Sequence, residues 1–340
     1  MPPGNYYSPR NVVLLTGAGF SKPYGGYLAS EMWSLILNQP QINHSKKLRA
    51  CLLENLNYET VYDAVLSSGQ YSEKEQKDFT DALKNAYLQL DDAIRTDDGN
   101  RRGLAAMMCQ FFIGSFGGSG RERGFIFTLN QDLLIERFYS RERGLVQIPA
   151  LGHPNWFNPQ FRNRLEQEDW FTLPNNDRIN YYKEKFWEKD SGIQNFVYVK
   201  LHGSYGWKFD DGSHALVVGF TKAERIAREP LFCWYYDLFK QVMSSAQNLV
   251  VVGYGFMDEH INDVIASAIS DGLRVHIINP KPPNEFKDLL SPLHGVVSKP
   301  VPQGRKIWEG IHGYHCASLP DLVQNGLTPK GDAVLKQIGV

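Results

Sequence analysis

The chain of 340 residues has only four cysteines, Cys51, Cys109, Cys233 and Cys316, and no two of them form a Cys-x-x-Cys pair. That spacing excludes a zinc ribbon and a disulfide framework. The cysteines read instead as free thiols in a reducing compartment. No apolar run approaches the ~20 residues that a membrane-spanning helix needs. The amino terminus, Met1-Pro-Pro-Gly-Asn-Tyr-Tyr7, lacks the apolar core of a secretory signal. A cytoplasmic protein with no membrane partner is expected. An excess of one charge is missing too, since the formal net charge is −1. The basic field that drives non-specific nucleic-acid binding is therefore absent, and no direct nucleic-acid contact is expected. Arg101-Arg102 and the pair Arg121 and Arg123 read as solvated surface. Internal repeats and low-complexity segments are also lacking.

What the sequence does have is a set of short β-rich runs that stop abruptly at polar or glycine-rich turns. Val12-Val-Leu-Leu15 leads into Thr16-Gly-Ala-Gly-Phe-Ser21, and Phe125-Ile-Phe-Thr128 leads into Leu129-Asn-Gln-Asp132. Phe196-Val-Tyr-Val-Lys-Leu201 ends at His202-Gly-Ser204, and Asn248-Leu-Val-Val-Val252 ends at Gly253-Tyr-Gly-Phe-Met-Asp258. A last run, Leu273-Arg-Val-His-Ile-Ile-Asn279, stops before Pro280. Helical spacing fits residues 28–38, 132–139, 221–246 and 258–270 between these runs. Buried strands flanked by helices predict an α/β fold, a Rossmann-like parallel sheet with helices on both faces.

The domain expected from this pattern spans residues 1–285. It carries a helical insertion at about 46–113 and an irregular, aromatic-rich insertion at about 145–195. The second segment holds Pro149, Pro154, Pro159 and Pro174, and a loop of that length is often functional. Residues 286–340 read as a loop-rich extension with a helix near 332–338, packed on the domain or used in assembly.

Ligands of open α/β sheets bind outside the carboxyl ends of the strands, so the polar turns are the candidate site. Each turn also has a plainer explanation. Glycines at 17 and 19 let a backbone approach a phosphate at a helix start, or simply connect strand to helix. Lys22 stands where a dinucleotide fingerprint has its third glycine, no strand ending in an acid follows about 20 residues on, and no Gly-Lys-Ser/Thr ends the loop. A hydride-transferring Rossmann enzyme and a P-loop are thereby disfavoured. Asn130 is a cleft residue or a helix N-cap, and His202 is a base or a packed histidine. His312, His315 and Cys316 cluster without a fourth ligand, so no metal is expected. Asp258-Glu-His260 opens a helix, where acidic residues suit the dipole and capping is the default explanation.

Taken in order, the turns resemble the sirtuin-like NAD-binding family. That family shows Gly-Ala-Gly-x-Ser, then Thr-Gln-Asn-x-Asp, then His-Gly, then a glycine/serine turn, then a strand ending near asparagine. The likeness runs from residue 11 to about 280. Two departures stand out. Gly25-Gly-Tyr-Leu-Ala-Ser30 replaces the Gly-Ile-Pro-x-Phe-Arg of the deacylases, and the four-cysteine zinc module is missing. The Gly253–Asp258 turn is more similar to that of bacterial sirtuin-like proteins of antiphage defence.

The resemblance implies a sirtuin-like fold without a zinc module, NAD as substrate, and no metal. It assigns Asn130 to the ribose hydroxyls and the attacking water, and His202 to general-base work. Asp132 would accept from the nicotinamide carboxamide. Ala18 and Gly19 N–H groups with Ser21 would cradle the pyrophosphate, Gly17, Thr128 and Gly203 belonging to the same cofactor-binding motifs. Gly253 and Gly255 would admit the adenosine side, and Asn279 the adenine ribose. The implied activity is NAD glycohydrolysis that drains NAD in abortive infection. Regulation would come through homo-oligomerisation or through a partner such as a HerA-type ATPase, a short Argonaute or another phage sensor. A non-catalytic NAD or ADP-ribose sensor is the alternative, and an NAD-dependent protein deacylase a weaker one.

Overall fold

In the computed structural model, residues 6–95, 99–139, 145–148, 171–189, 196–219, 226–291 and 301–340 are described. Seven strands form one wholly parallel sheet: β1 (Ser8–Thr16), β2 (Glu122–Thr128), β3 (Leu145–Ile148), β5 (Phe196–Lys200), β8 (Asn248–Val252), β9 (Arg274–Asn279) and β10 (Ile311–Cys316). Their spatial order is β10-β9-β8-β1-β2-β5-β3. Without the edge strand β3, this is the doubly wound dinucleotide-binding order 3-2-1-4-5-6. The chain is therefore an α/β protein of Rossmann-like architecture. A small second sheet joins β4 (Phe171–Thr172), β6 (Gly203–Lys208) and β7 (His214–Leu216).

The central strands are uninterrupted apolar runs because both sheet faces are covered. Val12 to Thr16, Phe125 to Thr128 and Leu249 to Val252 are all buried. Between β1 and β2 the chain makes the helices Lys46–Glu54, Tyr58–Ser67, Glu73–Arg95 and Gly99–Phe111, where a helical insertion was expected. The longest, Glu73–Arg95, buries Phe79, Leu83, Ala86, Tyr87 and Leu90 along one stripe at helical spacing. Its inner face also carries Asp91, which binds Arg137 through Arg137 Nε (2.9 Å) and Nη2 (2.7 Å), both side chains being 3% exposed. A bidentate pair of this kind ties the insertion to the helix Leu134–Phe138 that follows β2.

Three expectations change. The segment 145–195, read as irregular, contains β3 and the helix Asn176–Lys185; residues 149–170 and 190–195 lie outside the described ones. That helix buries only Ile179, so no apolar stripe announced it. The stretch after 285 supplies β10, which pairs with β9 as an edge of the main sheet. Gly313 and a half-exposed face gave it little β signal. The helix expected over 221–246 is formed as Pro230–Ser245. No described helix is long and apolar enough to cross a membrane.

Candidate functional site

The strand order reverses between β1 and β8, and the two glycine turns meet at that point. Gly17 N–H donates to Val252 O (3.0 Å), and Gly19 N–H donates to Gly253 O (2.9 Å). Gly253 has φ +69°, and a Cβ there would lie 2.1 Å from Phe20 N and 2.3 Å from Gly19 C. Only glycine permits this backbone-on-backbone contact. Gly19 N–H thus has a protein partner in the neighbouring turn. A Cβ added at Gly255 would meet nothing closer than Met257 Cγ, at 3.9 Å. Among the described residues, none crowds that exposed position enough to require a glycine.

The next pair of turns is joined by side chains. Ser21 Oγ, buried at the end of the β1 turn, donates to Asp132 Oδ2 (2.6 Å) and accepts from Asn130 Nδ2 (2.9 Å). Thr16 and Thr128, the last residues of β1 and β2, share a hydroxyl–hydroxyl bond of 2.7 Å, and Thr128 Oγ1 accepts from Asn130 N–H at 3.0 Å. Asp132 Oδ1 accepts from Leu134 N–H (3.0 Å), which starts the following short helix. With its amide oriented in this way, Asn130 keeps Oδ1 open to a ligand, for no described residue donates to it.

His202 is brought level with Asn130 by register. Thr128 pairs with Lys200, and Leu201 N–H donates to Thr128 O at 2.9 Å. Each side chain therefore stands two residues beyond a matched pair on neighbouring strands. Gln131 fixes the approach: its Nε2 donates to Val217 O (3.1 Å) and His202 O (3.4 Å), while its Oε1 accepts from Tyr87 OH. Gly203 has φ +74°, and a Cβ there would sit 2.1 Å from Ala215 O, so this glycine serves the β6–β7 approach. Asn279 ends β9, two strands from β1, and its Oδ1 accepts from Lys281 N–H (2.9 Å).

Under the turns lies a buried charge pair. Lys200 Nζ meets Glu136 Oε1 at 2.7 Å with both side chains fully enclosed, and Lys200 also donates to Asp132 O. Tyr198 OH donates to Glu136 Oε2 at 3.4 Å. Burial pushes the Tyr87 and Tyr198 hydroxyls up, so both act as neutral donors.

Above the turns, His202 Nε2 lies 3.2 Å from His260 Nε2. His260 sits in the first turn of the helix Glu259–Ser270 after β8, and its carbonyl accepts from Tyr236 OH (2.8 Å). Asp258 occupies the N-cap without a side-chain capping bond. The expectation of simple capping across Asp258 to His260 therefore gives way to a histidine pair. The strands that carry the two rings, β5 and β8, are separated by β2 and β1. At ~4.8 Å per strand, the contact bridges three strand spacings of the sheet.

Sequence reasoning missed Gln131, Lys200, Glu136 and His260, whose partners lie far along the chain. The His312 and His315 rings gather with His276 between β9 and β10, His276 and His312 at 5.5 Å between centroids. Among the described residues no group of three or more histidine, cysteine or acidic side chains is placed to hold a metal.

A family model described as a SIR2-like domain matches residues 124–291. That span holds the ends of β2, β5, β8 and β9, hence Asn130, Asp132, His202 and His260, and leaves out β1 and β10. No curated protein matches the chain. Among solved structures, one described as "Structural Basis for the Mechanism and Regulation of Sir2 Enzymes" aligns at 14% identity over 88% of this chain and 91% of that one, with a TM-score of 0.33.

Proposed function

We propose that this chain, similar over residues 124–291 to SIR2-like domains, is an NAD glycohydrolase that cleaves the nicotinamide–ribose bond to give nicotinamide and ADP-ribose. The observation that carries the reading is the convergence of Asn130 and a buried histidine on neighbouring strand ends, beside the switch point of a dinucleotide-type sheet.

The chemistry asks little of an acid. The C1′–N bond breaks with its electron pair passing to a pyridinium nitrogen, so the leaving group departs neutral. The transition state resembles an oxocarbenium ion, and water supplies the new C1′–O bond. Asn130 Oδ1 orients the ribose hydroxyls and that water, and His202 receives its proton. Ser21 holds Asn130 and Asp132 together, which fixes the amide before substrate arrives. Asp132 retains lone pairs for the nicotinamide carboxamide. The Ala18 and Gly19 turn, anchored by Ser21, faces the pyrophosphate, Gly253 and the unencumbered Gly255 admit the adenosine side, and Asn279 takes its ribose.

In a cell such an activity must be restrained. The reading therefore extends to an NAD-draining effector of antiphage defence, controlled by self-assembly or by a partner such as a HerA-type ATPase, a short Argonaute or another phage sensor. Incubation with NAD and an acetylated peptide, followed by chromatography, tests the reaction. Nicotinamide and ADP-ribose without peptide loss is the expected result. Nicotinamide released only with peptide would indicate a deacylase, and tight binding without turnover a sensor. Repeating the assay with the product of the neighbouring gene tests control by a partner.

A further inference from the structure

We propose that Gln131 is a positioning residue of this site and that the helical insertion sets it through Tyr87. The inference rests on the glycohydrolase reading above. Asn130 and His202 come from separate strand ends, and their joint work needs a fixed separation. Asn130 and Asp132 both bond Ser21. Gln131, between them, sends its buried amide the other way, into the turn that carries His202. It therefore ties one reactive turn to the other.

The amide has one workable orientation. Its Nε2 lies 3.1 Å from Val217 O and 3.4 Å from His202 O, and carbonyl oxygens only accept. Both amide protons are thereby used, and Oε1 is left to face the Tyr87 hydroxyl. Tyr87 gives its only hydroxyl proton there, so the Tyr58 hydroxyl that bonds it must be the donor. Backbone bonds lock the same contact. Tyr205 N–H donates to Gln131 O (2.8 Å), and Val217 N–H donates to His202 O (2.9 Å).

The far end of this chain of bonds lies in the insertion. Tyr58 opens the helix Tyr58–Ser67, and Tyr87 lies on the helix Glu73–Arg95. The Tyr87 ring also stacks on Tyr205, just past His202, with centroids 6.3 Å apart and planes 10° apart. The insertion thus touches both reactive turns, one through Gln131 and one through Tyr205. A shift of these helices moves Gln131, and with it the backbone that carries His202. A displacement of about 1 Å at such a group can cost on the order of 10²-fold in rate.

The test measures steady-state NAD hydrolysis by wild type, Gln131→Met, Gln131→Glu, Tyr87→Phe and the double variant Tyr87→Phe/Gln131→Met, with circular dichroism as the folding control. Methionine keeps the bulk and loses the amide's hydrogen bonds, so kcat should fall by roughly 10²-fold with KM little changed. Glutamate would face two carbonyl oxygens and can donate only when protonated, so its kcat relative to wild type should rise as pH falls. Tyr87→Phe should lower kcat, and the double variant should be no slower than Gln131→Met, because Tyr87 acts through the amide. Wild-type kcat in Gln131→Met or Tyr87→Phe, a Gln131→Glu ratio flat with pH, or effects that multiply in the double variant would overturn the proposal. If Gln131→Met does not fold, the Gln131→Glu ratio and the Tyr87→Phe kcat decide alone. If the wild type turns over no NAD, the glycohydrolase reading fails, and hydrogen exchange at the Tyr205 and Val217 amides decides the positioning separately. Faster exchange there in Gln131→Met and Tyr87→Phe, with β1 amides unchanged, supports it; exchange equal to wild type refutes it.

Discussion

Replacing Gly253 by alanine puts a methyl group where the β1 turn already lies. The new Cβ would stand 2.1 Å from Phe20 N and 2.3 Å from Gly19 C, both backbone atoms that cannot swing aside. The φ of +69° adds a left-handed strain of about 1–2 kcal/mol for a residue with a Cβ. To relieve the overlap the two turns must separate. That weakens the Gly19–Gly253 and Gly17–Val252 hydrogen bonds, each with a net value of about 1 kcal/mol. The sum is about 3–4 kcal/mol. With an unfolding entropy of about 2.1 cal/mol/K per residue over 340 residues, the expected fall in Tm is about 5 °C. Gly255→Ala is the matched control, since its nearest neighbour would be Met257 Cγ at 3.9 Å. It should change stability by less than about 0.5 kcal/mol, yet raise the KM for NAD if that glycine backs the adenosine side. Differential scanning calorimetry of both variants decides the matter. Equal Tm values for Gly253→Ala and Gly255→Ala would refute the claim that close packing of the two turns builds the switch point.

Further outcomes follow from the interior. Lys200→Met leaves Glu136 buried without its ion partner and should cost about 3–5 kcal/mol in a urea titration, whereas the pair Lys200→Met with Glu136→Gln should recover more than half. A single variant as stable as wild type would mean the pair does not secure the Asp132 turn. His214 and His276 are both pushed down to about 4, chiefly by burial, and secondarily by Lys84 for His214 and by His312, His315 and Arg274 for His276. Unfolded, each takes a proton near pH 6.5 that the folded chain refuses, so stability should fall as pH drops from about 6.5 to about 4. A His214→Gln/His276→Gln variant should show a shallower decline of Tm over that window, and an unchanged slope would contradict the assignment.

The sheet was legible because parallel strands buried on both faces are plain apolar runs, as in Asn248-Leu-Val-Val-Val252, and each stops at a residue type that a strand interior rejects. The chemistry at those stops could be read as far as residue type. Its atoms could not. Ser21 turns out to bridge Asn130 and Asp132, more than a hundred positions away, and Gly19 gives its N–H to Gly253. Tyr87 and Gln131 meet across 44 residues, and Lys200 and Glu136 across 64. No local pattern records such pairings. His260 was hidden for another reason: next to Asp258 and Glu259 it looked like the polar start of a helix, a role its neighbours' charge already explained. β10 escaped because an edge strand needs only one partner and tolerates glycine and histidine at half-exposed positions.

The most direct measurement is ε-NAD turnover by the purified chain beside Asn130→Ala and His202→Ala, each checked for a folded circular dichroism spectrum. Hydrolysis by the wild type is expected, with its loss in both variants while NAD still binds. Turnover that survives either substitution would contradict the roles given to Asn130 and His202.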